Sequence, residues 1–284
     1  LGDRFEILSA TISAMILQIP VSHLHGGQST EGLIDEPIRH SVTKMSHIHF
    51  VSTQKYMDRV IQLGEDPKNV HMVGAVGIDN IKKINLLNKK QLEEKINFKL
   101  GNKCVLVTFH PVTLDNNTSG EQMDELLSAL DSLENVQIIF TMPNADTYGR
   151  IIMGKIKKFV RYNNNSSCYD SLGQVNYLSC LQYVNAVVGN SSSGIIEAPS
   201  FNIGTINIGD RQRGRIKAES VIDCDPKKDS ILKAFSKLNS SSFQKKIDNV
   251  KNPYGEGGAS KAIVDVLEKK SLNNKIKKRF YNFY

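Results

Sequence analysis

The run IPVS at residues 19–22, followed by HLHGGQSTEGLIDEPIRH at residues 23–40, decides the fold class. A short apolar stretch, then Gly26-Gly27, then a polar helix start is how an open α/β sheet delivers side chains to the carboxyl ends of its strands. Three histidines (His23, His25, His40), three carboxylates (Glu31, Asp35, Glu36) and Arg39 gather at that turn. The same residues also fit a glycine turn that opens a surface helix with solvated charges, because a turn signal says nothing about ligands. The choice between the two rests on the rest of the chain.

Working outward, helical spacing over 5–18 and strand-like residues over 19–24 lead into this stretch. A helix over 35–45, a strand over 48–51, a helix over 54–63 and an apolar run over 69–77 lead out of it. Residues 81–99 turn rich in Lys, Asn, Leu and Glu and contain no glycine, the composition of a linking helix or hinge. The rhythm then restarts, with strands expected over 104–109, 136–141, 166–169, 186–188 and 205–208. Helices are expected over 122–133, 146–162, 176–184, 193–199, 229–238 and 259–269. Strands alternating with helices predict an α/β fold of two Rossmann-like domains, each a parallel sheet, facing a ligand cleft. The domains are expected over 1–80 and 81–265, with a basic, aromatic tail over 266–284 crossing back onto the first. The chain opens at Leu1-Gly2-Asp3-Arg4, without Met, on what reads as the end of a strand, so the first domain is expected to be truncated at its N-terminus.

The 284 residues, 40% hydrophobic and 23% charged, leave room for two globular domains. No apolar run reaches the roughly 18–20 residues of a membrane span. The N-terminus has neither a basic n-region nor a cleavage pattern. Cys104, Cys168, Cys180 and Cys224 lack any C-x-x-C spacing and read as small buried hydrophobes of a reducing compartment, so a cytoplasmic protein with no membrane partner is expected. The net charge of +7 and pI near 9.1 admit nucleic acid, an anionic surface or an acidic small molecule. No nucleic-acid-binding motif accompanies the basic runs and no aromatics interleave them, which argues against nucleic acid.

Four turns at strand ends are unusually polar. In FHPVT (109–113) a proline holds His110 at a strand tip, although a lone histidine is more often structural. In MPNAD (142–146) Asn144 suits the cap of the next helix. In GNSSSGIIE (189–197) a small-residue turn opens a helix, so its N–H groups and hydroxyls suit phosphate oxygens, with plain N-capping as the simpler use. GDRQRGR (209–215) places three arginines in five residues, suited to bidentate phosphate contacts or to a solvated turn. Each signal is weak alone. Together they fall at successive strand ends on one side of one sheet, where ligands of this fold class bind. A nucleotide diphosphate is the simplest molecule that needs a Ser-rich helix start, nearby arginines and a carboxylate for ribose hydroxyls. The fingerprints G-x-G-x-x-G, Walker A and H-E-x-x-H are absent.

In order and wording, LGDRFE, HLHGGQSTEGLIDEPIRH, KMSHIHF, QLGEDP, FHPVT, MPNAD, GNSSSGIIE, GTINIGDRQRGR and NPYGEGGAS resemble the UDP-N-acetylglucosamine 2-epimerase family, and more particularly its hydrolysing branch, used in making sialic and related nonulosonic acids. The resemblance implies two Rossmann-like domains of the GT-B arrangement, no metal or redox cofactor, and a homodimer or homotetramer. It implies that Ser191 and Ser192 hold the diphosphate of a UDP-sugar and Glu197 its ribose. Arg211 would lie beside the phosphates, Leu172 near the uracil, His110 at the sugar–phosphate junction, and Asn144 and Asp146 along the sugar. Asp3, Asp35 and Arg39 match the catalytic acids and arginine of the first domain. The implied reaction removes the C2 proton with loss of UDP from C1, and water then adds to the resulting glycal with the opposite configuration.

Two departures stand out. His25 occupies the position before the two glycines where sialic-acid-type enzymes commonly carry a glutamate, and STEGLID has one extra residue before Asp35. Both features resemble the branch acting on 2,4-diacetamido-trideoxy sugars such as UDP-N,N′-diacetylbacillosamine, and His25 or Glu31 is expected to take over the missing acid's role. The family also begins about a quarter of a protein earlier than this chain. A GT-B glycosyltransferase, a non-hydrolysing epimerase and a fragment that only binds UDP-sugar are the competing readings.

Overall fold

Runs of three to five residues, some wholly apolar and others as mixed as SSCY at 166–169, form nine parallel strands in the computed structural model, among the residues it describes (1–31, 33–112, 118–143, 148–270 and 276–282). They fall into two units. The first is Leu1–Lys82 together with the chain from Pro253 onward, and the second is Lys83–Asn252.

The first unit begins α1 (Phe5–Ile16), β1 (Ser22–Leu24), α2 (Asp35–Met45), β2 (Ile48–Val51), α3 (Gln54–Gln62), β3 (Val70–Met72) and α4 (Val76–Lys83). Its sheet runs β1-β2-β3, all parallel. Strand β2 (IHFV) is buried at every position, as expected of a strand covered on both faces. The turn after β1 needs glycine at position 27: φ is +77°, and a Cβ there would sit 2.3 Å from the Tyr56 carbonyl oxygen. That close approach lets Arg59 donate to Gly27 O at 2.6 Å and ties the turn to α3.

The second unit contains α5 (Lys89–Ile96), β4 (Cys104–Thr108), α6 (Ser119–Asp131), β5 (Gln137–Thr141), α7 (Gly149–Tyr162), β6 (Ser166–Tyr169) and α8 (Gly173–Leu181). It continues through β7 (Ala186–Gly189), α9 (Ser193–Ile196), β8 (Gly204–Ile208), β9 (Val221–Cys224), α10 (Lys228–Leu238) and α11 (Ser241–Ile247). The sheet order is β6-β5-β4-β7-β8-β9, again wholly parallel. Val105, Val107, Phe140, Val188 and Ile206 of its strands pack against Met123, Leu126, Ile152 and Ile231 of the helices in one buried core. The chain winds outward from β4 in one direction and from β7 in the other, so the sheet's topological switch point lies between these two strands. Gly189 makes that junction tight: φ is +127°, and a Cβ would lie 2.0 Å from Thr108 O.

The last helix, α12 (Ala259–Lys269), returns to the first unit. Its N-cap, Gly258, has no side chain to offer the first amides. The Asp79 carboxylate of α4 takes that place, accepting from Ala259 N at 3.0 Å and Ser260 N at 2.7 Å. Beyond it, Lys278 donates to the buried Glu65, and Tyr281 N donates to Gly64 O at 2.9 Å.

Two elements depart from the sequence expectation. The helix expected over 193–199 is one α-turn, α9, followed by a 3₁₀ turn at Ala198–Phe201, because Pro199 has no N–H to continue the α ladder. The linking segment over 81–99 is not one helix: α4 ends at Lys83 and α5 restarts at Lys89 with an Asn88–Gln91 capping box. Strand β9 and helix α11 are additional to the expected elements. Among the described residues, no helix is long and apolar enough to cross a membrane.

Candidate active site

The loops leaving β4 and β7 lie on either side of the switch point, and Asn190 binds them together. His110 N donates to Asn190 Oδ1 at 2.7 Å, and Asn190 Nδ2 donates back to His110 O at 2.8 Å. Asn190 O in turn accepts from Gln212 Nε2 at 2.8 Å and from Arg211 Nη1 at 3.2 Å. One buried asparagine therefore sets the relative position of the histidine turn, the serine turn and the arginine turn. The histidine and serine turns border a cavity of about 410 Å³ whose walls include His110, Leu172, Ser191 and Glu197. Ser192 stands at the head of α9, where its carbonyl accepts from Ile195 N and Ile196 N. Of the arginines in this turn, Arg211 is half-buried, whereas Arg213 is 64% exposed and pairs with Asp210 at 3.5 Å in solvent.

Burial, reinforced by the neighbouring Arg211 charge, lowers His110 to about 3, so its imidazole is neutral. Burial acts the opposite way on Glu197 and raises its carboxyl, against an opposing hydrogen bond from Ser193. A neutral donor and serine hydroxyls at one rim, with the Arg211 charge close behind His110, suit an anion, and a carboxylate is there as acceptor for hydroxyl groups. Asn144 and Asp146 fall outside the described residues.

In the first unit, Arg39 is 1% exposed and uses all its N–H donors. Nε and Nη2 reach Asp3, Nη1 reaches Glu36 at 2.6 Å and Gln28 O at 3.2 Å, and Nη2 also reaches Thr30 Oγ1 at 2.9 Å. Glu36 closes the loop onto α2 by accepting from Ser29 Oγ (2.8 Å), Thr30 N (2.5 Å) and His40 Nε2 (3.1 Å). Burial alone would raise the Glu36 carboxyl. Hydrogen bonds from His40, Thr30 and Ser29, with the Arg39 charge, outweigh it and hold the group at about 2. Asp35 lies half-buried in the first turn of α2, and Glu31 is exposed.

His25 adopts a left-handed backbone (φ 65°), and its N–H donates to Phe50 O at 2.8 Å. Its Nε2 accepts from Val76 N at 3.3 Å, and the Gln28 side-chain amide lies 3.1 Å from Nδ1. His23, 2% exposed, faces Thr43 Oγ1 at 3.1 Å, and that hydroxyl donates to Arg39 O at 3.0 Å. Burial first, then the charges of His49 and Arg39 among others, lowers His23 to about 3.

The structure thus joins Asp3 to Arg39 directly, and sets His110, Leu172, Ser191 and Glu197 around one cavity. Three participants carry no role in the expectations from sequence, although Glu36 is among the carboxylates noted at the opening turn. Asn190 lies inside the GNSSSG motif and Glu36 inside the opening stretch, so a signal existed for both. Tyr177, which donates to Ser193 at 2.6 Å, has none beyond its place on a helix.

Against known proteins, residues 1–268 match the family model described as UDP-N-acetylglucosamine 2-epimerase. The chain is 42% identical over 245 residues to a Campylobacter jejuni protein named GDP/UDP-N,N′-diacetylbacillosamine 2-epimerase (hydrolyzing), covering 86% of this chain and 63% of that protein. It is 41% identical over 287 residues to the Escherichia coli polysialic acid biosynthesis protein P7, covering 99% and 72%. In fold it is similar to the crystal structure of a Neisseria meningitidis UDP-GlcNAc 2-epimerase bound to UDP-GlcNAc, with a TM-score of 0.81 at 20% identity over 95% of this chain and 75% of that one.

Proposed function

Because the chain belongs to the UDP-N-acetylglucosamine 2-epimerase family, we propose that it acts as a hydrolysing UDP-sugar 2-epimerase. The substrate is UDP-N,N′-diacetylbacillosamine or UDP-N-acetylglucosamine, and the products are UDP and the free 2-epimerised amino sugar, a precursor for nonulosonic acid synthesis. The observation that carries this reading is the Asn190 lock, which sets His110 and the serine turn at the switch point of the second unit's sheet, beside Arg211 and Glu197.

The C2 proton of such a sugar is only weakly acidic, so departure of UDP from C1 leads the reaction. Ser191, Ser192, Arg211 and His110 stabilise the charge developing on the leaving diphosphate, an electrostatic contribution of the oxyanion-hole kind. Carboxylates of the first unit, drawn from Asp3, Glu31 and Asp35, take the C2 proton and deliver water to the glycal. Arg39 holds Asp3 and, through Glu36, the loop that carries Glu31. The role of the missing acid falls to Glu31 or to His25, whose Nε2 accepts from Val76 N at 3.3 Å and whose Nδ1 lies 3.1 Å from the Gln28 side-chain amide. Leu172 meets the uracil and Glu197 accepts from the ribose, while the resemblance assigns the sugar contacts to Asn144 and Asp146. A homodimer or homotetramer in the cytoplasm belongs to the same reading, on the strength of the resemblance.

UDP release from both nucleotide sugars by His25→Ala and Glu31→Ala tests the assignment. A fall in kcat is expected in at least one of the two variants. Full activity of both variants sinks it.

A further inference from the structure

Ser193 opens α9, Glu197 follows its last residue, and Ser193 Oγ donates to Glu197 Oε2 across that single turn. Tyr177 on α8 donates its phenol O–H to the same Ser193 oxygen at 2.6 Å. The bonds share one direction: phenol to hydroxyl to carboxylate. All three side chains line the cavity that also holds His110 and Leu172.

Burial, with the Glu197 charge adding to it, raises the Tyr177 phenol, so it remains a donor throughout the physiological range. Burial also raises Glu197, and Ser193's hydrogen bond is what opposes that rise. The series commits one carboxylate oxygen, Oε2, to the protein. Among the described residues Oε1 accepts no hydrogen bond, and its two lone pairs match the two hydroxyl donors of a vicinal diol.

We infer that Tyr177 and Ser193 are positioning residues which hold Glu197 with one oxygen aimed at the ribose diol of a bound nucleotide. The inference rests on reading this cavity as the nucleotide site. Without the relay, Glu197 rotates freely, and the ribose loses a charge-assisted acceptor of fixed geometry.

Calorimetric titration of UDP and 2′-deoxy-UDP into the wild type, Tyr177→Phe, Ser193→Ala and Ser193→Thr decides the matter. The wild type is expected to prefer UDP by at least about ten-fold, the factor that one hydrogen bond to a charged group supplies. In Tyr177→Phe and Ser193→Ala that preference collapses to about two-fold or less with 2′-deoxy-UDP affinity unchanged, and Ser193→Thr restores it because the hydroxyl is retained. Thermal unfolding alongside separates this outcome from loss of fold. A wild-type preference retained in both Tyr177→Phe and Ser193→Ala overturns the relay while leaving the cavity assignment intact. A wild type that binds neither nucleotide overturns the cavity assignment and the relay with it.

Discussion

Asn190 and His110 stand eighty residues apart in sequence and bond to each other in both directions, side-chain amide to backbone N–H and C=O. The reciprocal pair spans the two loops at which the second unit's sheet reverses its winding. Replacing Asn190 with Ala strips a buried N–H and a buried C=O of their partners at once. A loss of about 2–3 kcal/mol in stability is expected, together with loss of UDP binding. Asn190→Asp keeps the acceptor and loses the donor, and is expected to fall between the two. Urea unfolding and UDP titration of both variants check the order.

Arg39 is a geometric hub as much as a charge. Its planar fork makes five bonds, which a lysine ammonium cannot reproduce. Arg39→Met takes the guanidinium from Asp3 and Glu36, leaving Glu36 only its bonds from Ser29, Thr30 and His40, and is expected to cost about 3 kcal/mol. Arg39→Lys restores charge without the fork and is expected to recover less than half of that, read from urea midpoints. Equal stability of the Lys variant and the wild type would show that charge alone suffices.

Stability should fall steadily in acid, in two adjoining windows. His23 and His110 are lowered to about 3 in the folded chain from an ordinary 6.5. Their contribution is complete above pH 6.5 and is lost as pH falls towards 3, because the unfolded chain binds those protons first. Glu36 and Glu65 are held at about 2, below an ordinary 4.5, so their contribution is complete above pH 4.5 and is lost on the way to 2. Unfolding free energies near pH 5.5 are expected to be lower than at neutral pH by about 1 kcal/mol per histidine. A flat profile across that interval contradicts the assignment of both imidazoles as neutral.

Glu65 gathers two ammonium groups and a buried imidazole: Lys44 at 2.7 Å, Lys278 of the C-terminal segment at 2.7 Å and His49 at 2.9 Å. Lys278 also donates to Lys44 O, which belongs to the last turn of α2. Lys278→Met is expected to release residues 276–282 from the first unit, visible as increased amide exchange at Tyr281, and to cost about 1–3 kcal/mol for a partly unpaired buried carboxylate. Unchanged exchange at Tyr281 would mean that Phe280 beside Gly64 holds the segment alone.

Much of the fold was legible because its signals are local. Helix α2 and strand β2 have the bounds that periodicity and flanking turns predict, since Ile38, Val42 and Met45 repeat at helical spacing and IHFV is uniformly apolar or buried. Strand β9 was not legible: VIDC buries only Ile222 well, and its pairing to β8 supplies what its composition lacks. Helix α11 buries just Phe243 and Ile247 and is too short to show a period. The site divides in the same way. Ser191, Arg211 and His110 announce themselves in loop motifs, whereas Tyr177 and the bridging role of Asn190 depend on contacts sixteen and eighty residues away that no local window contains.

The most direct test of the proposed reaction is proton NMR of the products from UDP-N,N′-diacetylbacillosamine and UDP-N-acetylglucosamine, with no acceptor present. The account predicts free UDP and a free amino sugar inverted at C2, with solvent deuterium incorporated at that carbon when the reaction is run in D₂O. An epimerised sugar still attached to UDP, or UDP released only when an acceptor is supplied, would contradict it.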